Sequence, residues 1–173
     1  MKTLTLVSGG ARSGKSRYAL QAAAQYPASR KYFIATAEAL DEEMAARIAH
    51  HKASRPSDFA TIEAPVEIVR TLNSLDQRAD VAVVDCLTLW VSNLLGTGMD
   101  DETVMREAEA LARALDDARF ACVVVTDEVG SGIVPEHPIA RRFRDLLGWT
   151  NQKIAEIADE VILMVAGCPL RVK

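Results

Sequence analysis

Short runs of apolar, β-branched residues alternate along this chain with longer stretches whose apolar positions recur every three or four residues. The runs predict strands at 3–8, 31–35, 60–64, 80–85, 121–126 and 160–166, with a further short one at 170–173. Several are apolar on successive residues, as in Val81-Ala82-Val83-Val84 and Cys122-Val123-Val124-Val125. A strand without alternation is buried on both faces, which predicts a parallel sheet sandwiched by helices. The 3.6-residue periodicity predicts those helices at 15–25, 41–53, 66–72, 87–95, 101–118 and 139–158. The 101–118 stretch is amphipathic and carries acids at its N-terminal end, as the helix dipole prefers. Connections are short and no repeat interrupts the alternation, so the expected fold is one three-layer α/β domain over residues 1–173, with a mostly parallel sheet flanked by helices.

One junction in that pattern carries chemistry. Leu4-Thr5-Leu6-Val7 runs into Gly9, Gly10, Ala11, Arg12, Ser13, Gly14, Lys15 and Ser16, and a helical stretch follows at once. This is G-x-x-x-x-G-K-S between a strand and a helix, the context in which backbone N–H groups cradle phosphate oxygens. Lys15 is then expected to reach the β- and γ-phosphates and Ser16 to hold Mg²⁺. The motif predicts a P-loop type of domain that binds a nucleoside triphosphate.

Composition trims the alternatives. The net charge of −4 and scattered basic residues leave no electrostatic footprint for nucleic acid. No apolar stretch approaches membrane-spanning length, and the N-terminus enters a strand without a signal-peptide pattern. Cys86, Cys122 and Cys168 lack metal-ligand spacing, and the first two read as buried small hydrophobes. Unpaired thiols suit a reducing cytoplasm.

A second signal lies in the 41–53 helix. At about 100° per residue, His51 falls on the stripe of Leu40, Met44 and Ile48, with Arg55 one turn on. His50 falls to the side with Glu43 and Arg47. Two readings of His51 stand: a packed, hydrogen-bonded core histidine, or a neutral imidazole that attacks phosphorus to form a phosphoramidate. Arg47, Lys52 and Arg55 would disfavour its protonation and could also bind phosphate.

Other candidates cluster at predicted strand ends. Asp85 closes an apolar run as a Walker B acid does, near a magnesium ion; it could instead cap the next helix. Asp127-Glu128 follows the next strand and leads into Val129-Gly130-Ser131-Gly132-Ile133-Val134-Pro135. This loop is substrate-facing or a plain connector. Thr36, at the end of Ile34-Ala35-Thr36, is placed to reach the same edge. Arg141, Arg142 and Arg144 read as phosphate clamps or as a solvated face.

Taken together, these segments resemble the bifunctional adenosylcobinamide kinase / adenosylcobinamide-phosphate guanylyltransferase family of cobalamin biosynthesis. The resemblance runs from the GGARSGKSR loop at 9–17 through Asp41 to Arg55-Pro56 with its His-His-Lys. It continues through 85–88, Asn93-Leu94-Leu95, the Glu128 to Pro135 loop, Arg144-Asp145, Asn151-Gln152 and Ala158 to Val161. It implies that ATP or GTP phosphorylates the aminopropanol hydroxyl of adenosylcobinamide. GTP then guanylylates a histidine that passes GMP to the phosphorylated corrinoid. By this resemblance the nucleophile is His51, with Lys15 as the other catalytic residue. Nucleotide contacts carry over to Gly9 through Ser16, Ile34, Ala35, Thr36, Lys52, Arg55, Glu63 and Asp85, with Ser16 and Asp85 toward Mg²⁺. Glu128, Gly130 and Gly132 form the substrate loop, and the assembly is a homotrimer.

Two positions depart from the family pattern: Asp127 where Asn is common, and Asp85 where some members carry Glu. The rival readings are a single-activity small-molecule kinase, a GTP-dependent switch and a motor-type ATPase. No N-K-x-D guanine-reading segment supports the switch.

Overall fold

The computed structural model describes residues 2–27, 30–39, 41–53 and 55–173; the side chains of Arg47, His50 and His51 lie outside that description. Among the described residues the chain forms β1 (Leu4–Gly9), α1 (Lys15–Ala24), β2 (Lys31–Ala35), α2 (Glu42–Ala53), β3 (Phe59–Glu63), α3 (Ile68–Leu75) and β4 (Val81–Asp85). Then follow α4 (Leu87–Gly96), α5 (Asp101–Asp117), β5 (Ala121–Val125), α6 (Pro138–Ile157), β6 (Glu160–Val165) and β7 (Cys168–Arg171). The strands make one sheet in the order β3-β2-β4-β5-β1-β6-β7. All pairings are parallel except β6 with β7.

The unbroken apolar runs do what the sequence predicts, since odd and even residues serve opposite faces. Val81, Val83, Ala121, Val123 and Val125 pack on one side with Ala19 and Ala23 of α1. Ala82, Val84, Cys122 and Val124 pack on the other with apolar side chains of α3, α4, α5 and α6, including Leu72, Trp90, Leu111 and Leu146. Two alanines at the α1 interface let that helix sit close against the sheet, and its N-terminus therefore opens at the strands' carboxyl ends.

Two elements differ from expectation. The helix predicted at 66–72 is displaced to Ile68–Leu75. Val66 begins a turn, its carbonyl accepting from Ile68 N–H at 3.0 Å, and the buried stripe is Ile68, Leu72 and Leu75. The last strand starts at Cys168 because the two-residue turn of Ala166 (φ 50°) and Gly167 (φ 84°) reverses the chain directly. Positive φ at both turn positions matches the twist of an antiparallel hairpin. Pro169 is tolerated there because β7 is an edge strand.

Candidate active site

Parallel register sets the floor of the site. Ala35 aligns with Asp85, and Asp85 with Val125, so three strands end in one row. All three residues line a cleft of about 450 Å³. The glycine loop between β1 and α1 forms one wall, from Ala11 to Arg17. At Gly9 (φ 147°) a Cβ would stand 2.5 Å from the Met164 carbonyl oxygen, and at Gly14 (φ 97°) the backbone is left-handed. Glycine is required at both by conformation, and at Gly9 by space as well. Glu128 N–H donates to the Gly9 carbonyl (3.1 Å) and Gly167 N–H to the Ser13 carbonyl (3.0 Å), tying the loop to its neighbours.

The start of α1 is chemically bare. Its N-cap is Gly14, no side chain caps it, and no acid stands in its first turn. Its leading N–H groups and the positive end of the helix dipole thus keep their capacity for an anion. Lys15, only 8% exposed, donates from Nζ to the Gly10 carbonyl (2.6 Å) and forms an ion pair with Asp127 Oδ1 (2.6 Å). Burying a lysine stem at the mouth of such a loop concentrates positive charge where solvent screens it least.

Opposite lies α2 with the segment that follows it. Met44 and Ile48, two members of the predicted inward stripe, line the cleft, as do Lys52 and Arg55. His51 belongs to the same helix, but its side chain, like Leu40, falls outside the described residues. Arg55 stacks its guanidinium 3.8 Å from the centre of the Phe33 ring. Burial pulls the Arg55 pKa below its ordinary value, opposed by the nearby charges of Asp85 and Glu63. Lys52 donates to Glu63 at 2.6 Å, a hydrogen bond that holds the Glu63 carboxyl below the usual carboxylate range. These residues also border a second hollow of about 470 Å³ toward Phe59 and Thr61.

Two buried polar atoms among the described residues find no protein partner, Ser13 Oγ and Arg55 Nε. Both belong to cleft-lining residues. Buried polar groups are otherwise almost always paired, and both orphans are enclosed within the residues that wall the cleft.

Several sequence expectations meet the structure differently. Asp85 does line the cleft, and the N-cap position of α4 is held by Cys86. Thr36 does not reach into the site. Its fully buried hydroxyl donates to the Cys86 carbonyl (2.8 Å) and accepts from Cys86 N–H (2.7 Å), so it braces the strand ends. Ile34 is likewise core, and this strand end meets the cleft through Ala35 and Ala37.

The predicted clamp arginines are occupied elsewhere. Arg141 donates to the carbonyls of Pro135 and Glu136, pinning the end of the loop after β5. Arg142 holds Asp101 and the Met99 carbonyl, and Arg144 pairs with Asp145 at 3.4 Å. The loop itself is exposed beyond β5: Glu128 Oε1 accepts from Gly130 N–H (2.7 Å), and Ile133 is 97% exposed. Gly132 has open space around it, and Glu128, Gly130 and Gly132 stand outside the cleft lining.

Sequence reasoning missed other contributors. Phe33, buried in β2, also presents its ring to Arg55. Asn93 donates from Nδ2 to the carbonyls of Thr36 (2.8 Å) and Pro65 (2.9 Å), joining the loops after β2 and β3. Cys86 lines the cleft, but burial raises its thiol to about 12, so it supplies no thiolate.

Comparisons with known proteins bear on the fold and on the family. A crystal structure of the RadB recombinase superposes with a TM-score of 0.50 at 15% identity, covering 93% of this chain and 73% of that one. That likeness concerns the fold. The chain is 43% identical to the bifunctional adenosylcobalamin biosynthesis protein CobP of Pseudomonas aeruginosa, over 97% of this chain and 96% of that protein. It is 43% identical to the bifunctional adenosylcobalamin biosynthesis protein CobU of Salmonella typhimurium, over 98% and 99% of the two chains. The Escherichia coli protein of the same name is 38% identical over equal shares. Residues 5–172 match the family described as cobinamide kinase / cobinamide phosphate guanyltransferase, and with it a phosphotransferase and a nucleotidyltransferase. The chain is therefore an enzyme of the cobinamide kinase / cobinamide phosphate guanyltransferase family.

Proposed function

We propose that this enzyme phosphorylates adenosylcobinamide with ATP or GTP, and then transfers GMP from GTP to the product through a covalent His51–GMP intermediate. The observation that carries this reading is the meeting of two walls in one cleft. The uncapped start of α1 with buried Lys15 faces the Met44, Ile48, Lys52 and Arg55 side of the helix that bears His51.

In the first reaction the hydroxyl oxygen of the acceptor bonds to the γ-phosphorus as the bond to the β-phosphate oxygen breaks, and the hydroxyl proton passes to solvent. Lys15 and the α1 N–H groups neutralise the charge on the transferring group. In the second, an imidazole nitrogen of His51 attacks the α-phosphorus of GTP and pyrophosphate leaves from the glycine loop. The phosphate oxygen of the corrinoid then displaces His51 from phosphorus, breaking the P–N bond and restoring the imidazole. Holding both reactants in one cleft makes each attack effectively unimolecular. Lys52 and Arg55, cations on the cleft wall, suit the phosphates of the guanylyl donor.

Ser16 and Asp85 offer a hydroxyl and a carboxylate on the same cleft, the hard oxygen donors Mg²⁺ takes when substrate phosphates complete its shell. No cluster of three metal-ligating side chains stands among the described residues, which fits an ion carried by the nucleotide. Bound there, Mg²⁺ would neutralise phosphate charge. The exposed Ile133 and Val134 on the loop after β5 suit contact with the corrinoid. A homotrimer in a reducing cytoplasm completes the proposal, and the three free thiols agree with that compartment.

The test uses GTP labelled at the α-phosphate. Acid-labile, alkali-stable label on the protein, absent from His51→Ala, is the expected result, with phosphorylation of adenosylcobinamide retained in that variant. Equal labelling of His51→Ala would remove His51 as nucleophile. No covalent label in the parent, with γ-phosphoryl transfer intact, would reduce the enzyme to a single-activity kinase.

A further inference from the structure

We propose that Asp127 sets the affinity for the nucleotide by competing with its phosphates for Lys15. This rests on the reading of Lys15 as a phosphate ligand.

Asp127 Oδ1 lies 2.6 Å from Lys15 Nζ, and the two side chains are 26% and 9% exposed. The carboxylate is aimed by its backbone, which is held from two sides. Asp127 N–H donates to Thr88 Oγ1 of α4 (2.8 Å), and its carbonyl accepts from Asn151 Nδ2 of α6 (3.2 Å). Asn151 is itself fixed by the Thr126 hydroxyl, which donates to its Oδ1 at 2.6 Å. Two helices therefore hold Asp127 against the glycine loop, and the residue lines the cleft.

Lys15 has three N–H donors. One goes to the Gly10 carbonyl and another to Asp127, so a β- or γ-phosphate draws on an ammonium already engaged by a fixed carboxylate. Binding must move charge-assisted hydrogen bonds from Asp127 to phosphate and leave a second anion beside the triphosphate. Both effects weaken binding, and both depend on the negative charge at position 127. A neutral side chain there frees Lys15 and removes the repulsion.

The experiment is calorimetric titration of the full chain with GTP and with GMP, in the parent and in Asp127→Asn, Asp127→Ala and Asp127→Glu. The expected result is GTP binding about tenfold tighter in Asp127→Asn and Asp127→Ala. Asp127→Glu should be no tighter than the parent, and GMP, which lacks the β- and γ-phosphates, should be unchanged across the set. Unchanged or weaker GTP binding in Asp127→Asn overturns the proposal, and so does an equal gain in Asp127→Glu. A fall in kcat for phosphoryl transfer with GTP affinity unchanged also overturns it, making Asp127 a proton acceptor instead. If the parent binds GTP and Lys15→Met weakens that binding, the nucleotide reading stands whatever Asp127→Asn does. A parent chain that binds no GTP overturns both.

Discussion

Two helix starts in this molecule face the same physical problem and solve it oppositely. At the start of α5, Asp100 is the N-cap, its carboxylate accepts from Thr103 N–H at 2.8 Å, and Asp101 and Glu102 fill the first turn. The leading N–H groups and the dipole are satisfied within the chain. At the start of α1 the cap is glycine, the first turn has no acid, and Lys15 adds positive charge. The first arrangement contributes stability to the helix itself. The second leaves its electrostatic capacity for a ligand, which is what a phosphate site requires.

The difference can be broken at either end. The largest effect is expected from Lys15→Met, which removes the cation at the open terminus: kcat/KM for cobinamide phosphorylation should fall by about 10³-fold. Circular dichroism should report a folded protein, since the methionine keeps the apolar stem. A variant within tenfold of the parent would take Lys15 out of the chemistry.

Next comes Arg17→Glu, which gives α1 the first-turn acid that α5 already has. Arg17 is exposed at the cleft rim. The helix should be unharmed, with thermal unfolding unchanged, while GTP affinity falls by roughly tenfold or more as the dipole's anion site is filled by a carboxylate. Unchanged affinity would mean that the open terminus does not face the phosphates.

The smallest effect is expected at the closed end. Asp100→Ala should lower Tm by about 2–4 °C, as a lost cap does in a chain of this length, and leave GTP affinity untouched. The hydrogen bonds from Thr103 hold the Asp100 carboxyl below its ordinary value of 3.8. A depressed carboxylate contributes its stability above the unfolded value and loses it as pH falls through the folded one. The gap between parent and variant should therefore be full at neutral pH and close below pH 3.8. A gap that persists in acid would assign the effect to packing.

Much of the site was legible because its parts are local. The glycine loop can be read from eight adjacent residues, since glycine, lysine and serine at that spacing serve one backbone conformation. The inward stripe of α2 follows from helical periodicity, and Met44 and Ile48 do line the cleft. Arg141 and Arg142 were not legible. An arginine on a helix has the same local pattern whether it meets phosphate or, as here, the Pro135 carbonyl and Asp101. Thr36 was misplaced for a related reason. It sits at the right strand end, but the choice between facing the cleft and bonding Cys86 depends on β4 lying beside β2.

By itself, the sequence determined the strands buried on both faces, the glycine loop between β1 and α1 and the acidic start of α5. Each depends on periodicity or on side chains within a few residues of the backbone they serve. Tertiary structure alone decided that Lys15 meets Asp127, that Arg55 lies over Phe33, and that Thr88 and Asn151 hold Asp127 in place. Those partners come from distant segments, and only the order β2-β4-β5-β1 brings their strand ends to one edge. A periodic pattern says which face of an element is buried. It carries no information about which distant element covers that face, and at this site the covering partners set the charge around the cleft.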